Sequence, residues 1–466
     1  MTDLVWFRND LRTADNAALT AACRGGSAVR ACFLLTPGQW REHHWSSARV
    51  RLVIDHLSAL GQELAALGIE LSIIPADRFD DSFALLKKFC YEHQVQRLHF
   101  NEEYGINERR RDKQLATELG EAGITAHKYR DQCAAPVGQI LTGQGQPYSV
   151  FTPFSRRWRE WLEEHPPQIY PVPAPVSAPL PPPLPLPDLE GWEPAPSPLV
   201  ATGESAAHQQ LERFLEERGA DYKRHRDMPA LDGTSQLSPY LANGVLSGRQ
   251  CLVAAQQLQG HGGEGYACWI NELAWRDFYI HILYHFPRVS MNRAFKPETE
   301  ALVWNPPGAA FEAWKAGQTG VPLVDAAMRQ LNETGWMHNR LRMVAAMFLT
   351  KNLFIDWRLG EAYFMSKLVD GFLASNNGGW QWSASTGTDA APYFRVFNPV
   401  SQSERFDPDG QFIRRYVPEL SDLDNKAIHQ PWKAGAPPNG YPTPLVDLKE
   451  SRKEAIARFQ ALKEEA

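Results

Sequence analysis

Leu4-Val5-Trp6-Phe7-Arg8-Asn9-Asp10-Leu11-Arg12-Thr13-Ala14-Asp15-Asn16-Ala17-Ala18-Leu19 is the stretch from which the fold is read. Four apolar residues in a row form a short buried strand, and a helix over 15–22 follows, with Asp15 placed to cap it. The same alternation continues outward. Strands are expected over 28–35, 69–74, 95–100 and 124–129. Between them, 46–67 is an amphipathic helix with Val50, Val53, Ile54, Leu57, Leu60 and Leu64 at helical spacing. A further helix runs through Phe83, Leu86 and Phe89, and a charged one spans about 107–119. Strand-helix alternation of this kind predicts a parallel, doubly wound α/β sheet, which binds ligands at the carboxyl ends of its strands. No GxGxxG and no P-loop follows the first strand, so the usual phosphate fingerprints are absent. The charged run after Phe7 reads first as a loop held by local salt bridges.

Length and composition set the outer limits. The 466 residues exceed one simple core, so two or three domains are expected. No apolar run reaches membrane-spanning length, and Met1-Thr2-Asp3-Leu4-Val5-Trp6 carries no secretory pattern. The six cysteines are scattered without a CxxC pair, which points to reduced thiols in the cytoplasm and to no metal site. A net charge of −6 argues against bulk nucleic-acid binding but leaves room for a local basic patch. Fifteen tryptophans outnumber the eight methionines, which suits aromatic stacking or electron transfer as well as large cores.

The proline-dominated segment 166–187 excludes regular helix and central strand and predicts an extended, semi-rigid tether. Ahead of it, 151–162 is a basic aromatic helix that either faces nucleic acid or packs on its neighbours. The expected division is an α/β domain over 1–130, a connector over 131–200 and a large all-α domain over 201–466.

Four clusters in the helical part carry chemistry. Tyr222-Lys223-Arg224-His225-Arg226 precedes Gly233-Thr234-Ser235-Gln236-Leu237-Ser238, a turn that suits a phosphate or simply caps a helix. Trp269, Glu272 and Arg276 share one helix face with Trp275 beside it. A carboxylate between two tryptophans suits binding or proton donation; a surface ion pair with Arg276 is the plainer alternative. Trp336, Asn339, Arg340 and Met343 fall at i, i+3, i+4 and i+7, and polar residues on that stripe point to a polar ligand. Last comes Asn376-Asn377-Gly378-Gly379-Trp380-Gln381-Trp382, led in by Asp370-Gly371-Phe372. It reads either as a polar loop before core aromatics or as a ligand face. Asp370 and Arg342 are a candidate buried ion pair. Arg395, Arg405, Arg414 and Arg415 extend a basic surface.

Taken together, Val5-Trp6-Phe7-Arg8-Asn9-Asp10-Leu11-Arg12, Trp336-Met337-His338-Asn339-Arg340 and Asn376-Asn377-Gly378-Gly379-Trp380-Gln381-Trp382 resemble the photolyase/cryptochrome family. The closest likeness is to class I cyclobutane pyrimidine dimer photolyases. The resemblance covers nearly the whole chain. It implies light-driven repair of UV-damaged DNA by a monomer holding FAD. By the same resemblance, Tyr222, Thr234, Ser235, Gln236, Leu237, Ser238, Trp269, Arg276, Arg342, Asp370 and Asn376 hold the cofactor, and Asn376 faces the flavin N5. Glu272 and Asn339 act on the lesion with Asn376 as catalytic residues, and Trp275, Met343 and Trp382 line its pocket. Arg226, Arg340 and Arg395 contact DNA. Trp304, Trp357 and Trp380 conduct electrons.

Two departures from the family pattern stand out. Phe372 replaces a customary Asp. Ser290 and Met291 replace the Cys-Lys common among folate binders. His43, Asn107 and Glu108 nevertheless match folate-contacting positions, so 5,10-methenyltetrahydrofolate is the expected antenna, with a deazaflavin as the alternative. Repair of (6-4) photoproducts is disfavoured because Asn339, not a second histidine, follows His338. A cryptochrome photoreceptor is disfavoured because no long extension follows the helical region.

Overall fold

Strand β1 (Thr2–Phe7) is buried along almost its whole length and lies at the centre of the sheet. Helix α1 (Ala17–Arg24) follows it, capped by Asn16, whose side chain accepts from Leu19 N–H at 3.0 Å. The expected cap, Asp15, lies one residue too early. Its φ of 51° and full burial commit it to tertiary contacts instead. Then come β2 (Ala28–Leu35), the short α2 (Pro37–Glu42) and α3 (Ser47–Ala66). The rest of the alternation is β3 (Leu71–Pro75), α4 (Asp81–Glu92), β4 (Val95–Asn101), α5 (Ile106–Glu121) and β5 (Thr125–Tyr129). All neighbouring strands are parallel, in the order β3-β2-β1-β4-β5. This is the doubly wound sheet that the periodicity predicts. Leu4, Trp6, Leu98 and Phe100 sit in its core with Leu86 and Leu115 from the helices.

The computed structural model describes residues 2–187, 189–193, 200–260, 263–435 and 437–464. The chain divides into two compact units, 1–220 with 235–287 and 221–234 with 288–466. Within the first, the proline segment is no free tether. Val176 N–H donates to Leu67 O at 2.9 Å and Leu180 N–H to Ala65 O at 2.8 Å, so the strap is tied to carbonyls at the end of α3, of which Ala65 O also accepts from Gly68 N–H at 3.0 Å. Leu186 N–H donates to Ser58 Oγ at 3.0 Å further along the same helix. Helix α6 (Phe151–Glu164) buries Phe151, Phe154, Trp158 and Leu162, which settles its packing role. After α7 (Glu204–Glu217), α8 (Tyr222–His225) belongs to the second unit. The chain returns to the first unit with α9 (Ser238–Ala242), α10 (Gly248–Leu258) and α11 (Glu264–His285). Trp158 Nε1 donates to Asp277 of α11 at 2.9 Å.

The charged run after β1 does form salt bridges, but with distant partners. Arg12 donates to Gly244 O at 3.0 Å and pairs with Asp131. Arg249 donates to Asp131 Oδ1 at 2.6 Å and to Asp15 Oδ2 at 3.0 Å. All four charged side chains are buried. Gly244 is required here: its φ is +64°, and a Cβ would stand 2.0 Å from Asn9 O.

The second unit is helical. It comprises α12 (Gly308–Ala316), α13 (Pro322–Thr334), α14 (Asn339–Met347) and a π-helical turn at Phe348–Asn352. These are followed by α15 (Trp357–Met365), α16 (Leu373–Ala384), α17 (Pro399–Phe406), α18 (Gln411–Tyr416) and α19 (Leu448–Glu464). Trp314, Leu341, Phe348, Trp357, Phe364 and Trp380 belong to one buried cluster. Among the described residues, no helix is long and apolar enough to cross a membrane.

Candidate functional site

The Asn376–Trp382 stretch is a helix, not a loop. Asn377 and Gln381 lie one turn apart, and Gln381 Nε2 donates to Asn377 Oδ1 at 2.9 Å. Asn377 Nδ2 donates in turn to Glu361 Oε1 at 3.1 Å. Burial pushes the Glu361 carboxyl up to about 7, and the bond from Asn377 offsets part of that rise. These contacts fix α16 against α15. Gly360 allows the close approach, because a Cβ there would stand 2.1 Å from the ring of Trp380.

Helices α14 and α16, with the 370–372 segment, enclose a cavity of about 120 Å³. Asn339, Arg342 and Met343 form one wall, and Asn376, Gly379, Trp380 and Ser383 another. Arg342 Nη2 holds both oxygens of Asp370, at 3.1 and 2.8 Å, and its Nε donates to Met337 O at 2.8 Å. The expected ion pair is therefore present, with Asp370 buried and Arg342 partly exposed. Asn376 Nδ2 donates to Glu361 O at 3.1 Å. That occupies one of its two N–H donors and leaves the amide oxygen and the other N–H for the cavity. Phe372 lines the cavity too, an apolar wall where the family usually has a carboxylate.

The tryptophans expected to conduct electrons run from buried to half-exposed. Trp380 and Trp357 are buried, and Trp304 is partly exposed, with its ring 4.9 Å from Phe354. Sequence reasoning missed Phe364 and Trp314, whose rings pack edge-on to Trp380 at 4.8 and 6.0 Å. Neither belongs to a local motif that would have marked it.

The other expected residues fall as follows. In the second unit, Tyr222 is buried and Thr234 half-buried. Arg340 pairs with Asp227 at 2.8 Å, and Arg226 reaches the same carboxylate at 3.8 Å. Asp227, absent from the sequence reading, thus ties two expected DNA contacts together. Burial lowers the His338 imidazole to about 4, so it is neutral at pH 7; it caps α14, its Nδ1 accepting from Arg340 N–H at 3.1 Å. Trp382 is half-buried, 6.3 Å from Phe397, and Arg395 is exposed.

In the first unit, Ser235, Gln236 and Ser238 are half-buried and Leu237 is buried. Trp269 is buried against Phe214 at 5.0 Å. Arg276 donates to Gln132 O at 2.8 Å and Leu241 O at 3.3 Å. Glu272 is half-buried on the same helix. Trp275 stacks on Phe151 with centroids 3.6 Å apart and planes within 7°.

The expected antenna residues also meet in the first unit. His43 Nε2 lies 3.2 Å from Asn107 Nδ2, and its Nδ1 lies 3.7 Å from Glu108. Burial raises the Glu108 carboxyl to about 7, and Glu103 adds to the rise. The carboxyl edge of the sheet, by contrast, is filled. Arg8 pairs with Asp112 at 2.9 Å and Arg111 with Glu103 at 2.8 Å, leaving a space of about 20 Å³ beside Arg8 and Glu103.

A flavin fits the second unit's cavity. Ser383 Oγ and Trp380 Nε1 are buried on its wall without a hydrogen-bond partner among the described residues, as expected where a ligand completes the site. A Cβ at Gly379 would meet no protein atom within 4 Å, so its absence leaves room there. Residues 3–176 match the family model for DNA photolyase, and residues 269–461 match the FAD binding domain of DNA photolyase. A parallel α/β sheet joined to a helical FAD-binding region defines a light-using flavoprotein, and the chain belongs to the photolyase/cryptochrome family. Within that family it is 45% identical over 471 residues to the deoxyribodipyrimidine photo-lyase of Escherichia coli, spanning 99% of this chain and 98% of that one. A bacterial class III photolyase from Agrobacterium tumefaciens superposes with a TM-score of 0.87 at 34% identity, over 99% of this chain and 98% of that one. A cryptochrome from Synechocystis gives 0.85 at 29% identity, over 98% of both chains.

Proposed function

We propose that the chain is a deoxyribodipyrimidine photo-lyase, repairing cyclobutane pyrimidine dimers in DNA with light. The observation that carries this reading is the cavity between α14 and α16, where Asn376 and the Arg342–Asp370 pair share a wall system with Asn339 and Met343. Bound FAD, reduced and excited by light, supplies the electron that splits the dimer. The chain's own residues do the rest. Arg342 neutralises Asp370, and by family resemblance Asn376 would face the flavin N5. Tyr222, Thr234, Ser235, Gln236, Leu237, Ser238, Trp269 and Arg276 are assigned to the remainder of the cofactor by family resemblance.

Chemistry on a base within a duplex requires flipping it out, which a damaged, poorly stacked pair makes cheaper. Trp275 and Trp382 then stack the flipped bases, at about 1–3 kcal/mol per base. Glu272 and Asn339 hydrogen-bond the base edges, and Arg226, Arg340 and Arg395 hold phosphates. Trp304, Trp357 and Trp380 pass electrons inward from the surface. For the antenna we assign methenyltetrahydrofolate to His43, Asn107 and Glu108. The alternative position at the sheet's carboxyl edge is occupied by ion pairs, which disfavours a flat deazaflavin there. The division into 1–130, 131–200 and 201–466 follows these roles: antenna, connector, and cofactor with lesion.

The direct test is illumination of dimer-containing DNA with the protein, with dimers counted against a dark control. Binding without light-dependent loss of dimers would instead indicate a photoreceptor. Glu272→Ala should weaken dimer binding by about tenfold or more, the worth of a charge-assisted hydrogen bond, and lower the yield per photon. If both quantities stay at the wild-type level, the role given to Glu272 is wrong. In Trp357→Phe, light-driven reduction of oxidised flavin should slow by more than about tenfold. A phenyl ring is harder to oxidise than an indole by well over the ~59 mV that marks a tenfold change for one electron. Repair by chemically pre-reduced enzyme should be unaffected; equal photoreduction in the variant would remove Trp357 from the electron path.

A further inference from the structure

Lys351 sits in the π-helical turn with its side chain fully buried. Burial, with the like charge of Lys296 adding to it, pulls the amine down to about 7. Among the described residues no carboxylate offsets the cost of burying it, so an aliphatic side chain would occupy this position more cheaply. What the amine does is specific. Nζ donates to Ser385 Oγ at 2.7 Å, and Ser385 Oγ donates to Ala391 O at 2.7 Å. An amine donates whether or not it carries a charge, so this chain of hydrogen bonds persists in either state.

Ser385 ends α16 with a left-handed φ of 64°, a conformation that costs a residue with a Cβ. The turn it begins folds back on the helix, and Ala391 N–H donates to Trp382 O at 3.2 Å. Beyond the turn come Tyr393, whose ring stacks on Phe459 at 5.9 Å, and exposed Arg395. Phe459, from α19, also covers the Lys351 amine at 3.8 Å, and Asn352 donates to Ser451 of the same helix at 3.0 Å. Buried lysine, strained serine and returning turn therefore form one connected support behind the half-buried Trp382.

We propose that Lys351 is a positioning residue for lesion binding: through Ser385 it holds the 385–391 turn against the end of α16 and so sets Trp382 and Arg395 for the flipped dimer. This rests on the reading of Trp382 and Arg395 as dimer and DNA contacts. Lys351 does not line the cavity between α14 and α16 and acts through the turn.

The test is the dark Kd of flavin-loaded protein for a duplex with a single thymine cyclobutane dimer, measured beside the undamaged duplex. Lys351→Met and Ser385→Gly should each weaken dimer binding about tenfold, the effect of one buried hydrogen bond. The double variant should be no worse than Lys351→Met alone, because both changes break the same chain. Flavin content, and repair per absorbed photon at saturating DNA, should match wild type. Ser385→Gly separates positioning from stability: glycine relieves the left-handed strain, which offsets part of the cost of leaving the Lys351 amine without its acceptor, so the urea midpoint should fall little while dimer affinity falls. It also decides the matter if Lys351→Met does not fold. Wild-type dimer affinity in Ser385→Gly, or additive losses in the double variant, would overturn the proposal. Failure of the wild-type protein to prefer the dimer duplex would overturn the functional reading itself.

Discussion

Replacing Arg342 with methionine yields a chain that folds but purifies nearly free of flavin. Asp370 is buried, and Arg342 Nη2 grips both of its oxygens from across the cavity wall. Removing the cation strands a carboxylate on the wall of the cavity proposed to hold the flavin. Breaking a buried pair from one side costs about 3–5 kcal/mol. Spent against cofactor affinity, that is roughly two to three and a half orders of magnitude. The second change in the series sharpens the test: adding Asp370→Leu removes the stranded charge, so the double variant should retain more FAD than Arg342→Met alone. Flavin absorbance per mole of purified protein measures both. Full occupancy in the single variant would mean that the pair does not shape this site.

Arg249→Met is expected to have the largest effect on stability, again about 3–5 kcal/mol, read as a lower urea midpoint at pH 7. It leaves Asp15 fully buried and Asp131 nearly so. Burial pushes the Asp131 carboxyl up, but Arg12 and Arg249 together outweigh it and hold it below its ordinary value. A carboxyl lowered in the fold stabilises above its unfolded pKa of about 3.9 and loses that contribution as pH falls through the folded value. The gap between wild type and variant should therefore be full at pH 7 and shrink below about pH 4. An equal gap at pH 3 and pH 7 would show that Asp131 is not the group responsible.

Local pattern carried the reading of the sheet. The five strands appear close to their expected positions because apolar runs and turn residues alternate within a few positions of one another. Helix α2 escaped notice because six residues are too few to show a period. Asn16 displaced Asp15 as the cap through a contact that the sequence does not display, since the partners of Asp15 stand at Ser247 and Arg249. The same distance hid the reach of Arg12. In the second unit, the Arg342–Asp370 pair was legible from residue types. Asp227, Glu361 and Trp314 were not, because each acquires its role only from the packing of separate helices. The glycines after Asn377 suggested a loop, but packing against α15 overrides their weak helix propensity.

The proline strap has a consequence for how the chain tolerates change. Its composition is that of a spacer whose length would be free to drift. Its amides, however, are spent at fixed positions along α3, with Val176 on Leu67 and Leu180 on Ala65. Deuterium should enter at Val176 and Leu180 much more slowly than in an unanchored proline-rich coil. A residue inserted between those two anchors would throw one of them out of step, whereas one added beside the outward-pointing Leu184 has the longer span between the Leu180 and Leu186 anchors over which to bulge into solvent. Drift in length among descendants of this chain should therefore gather at the crest of the strap and spare its footings.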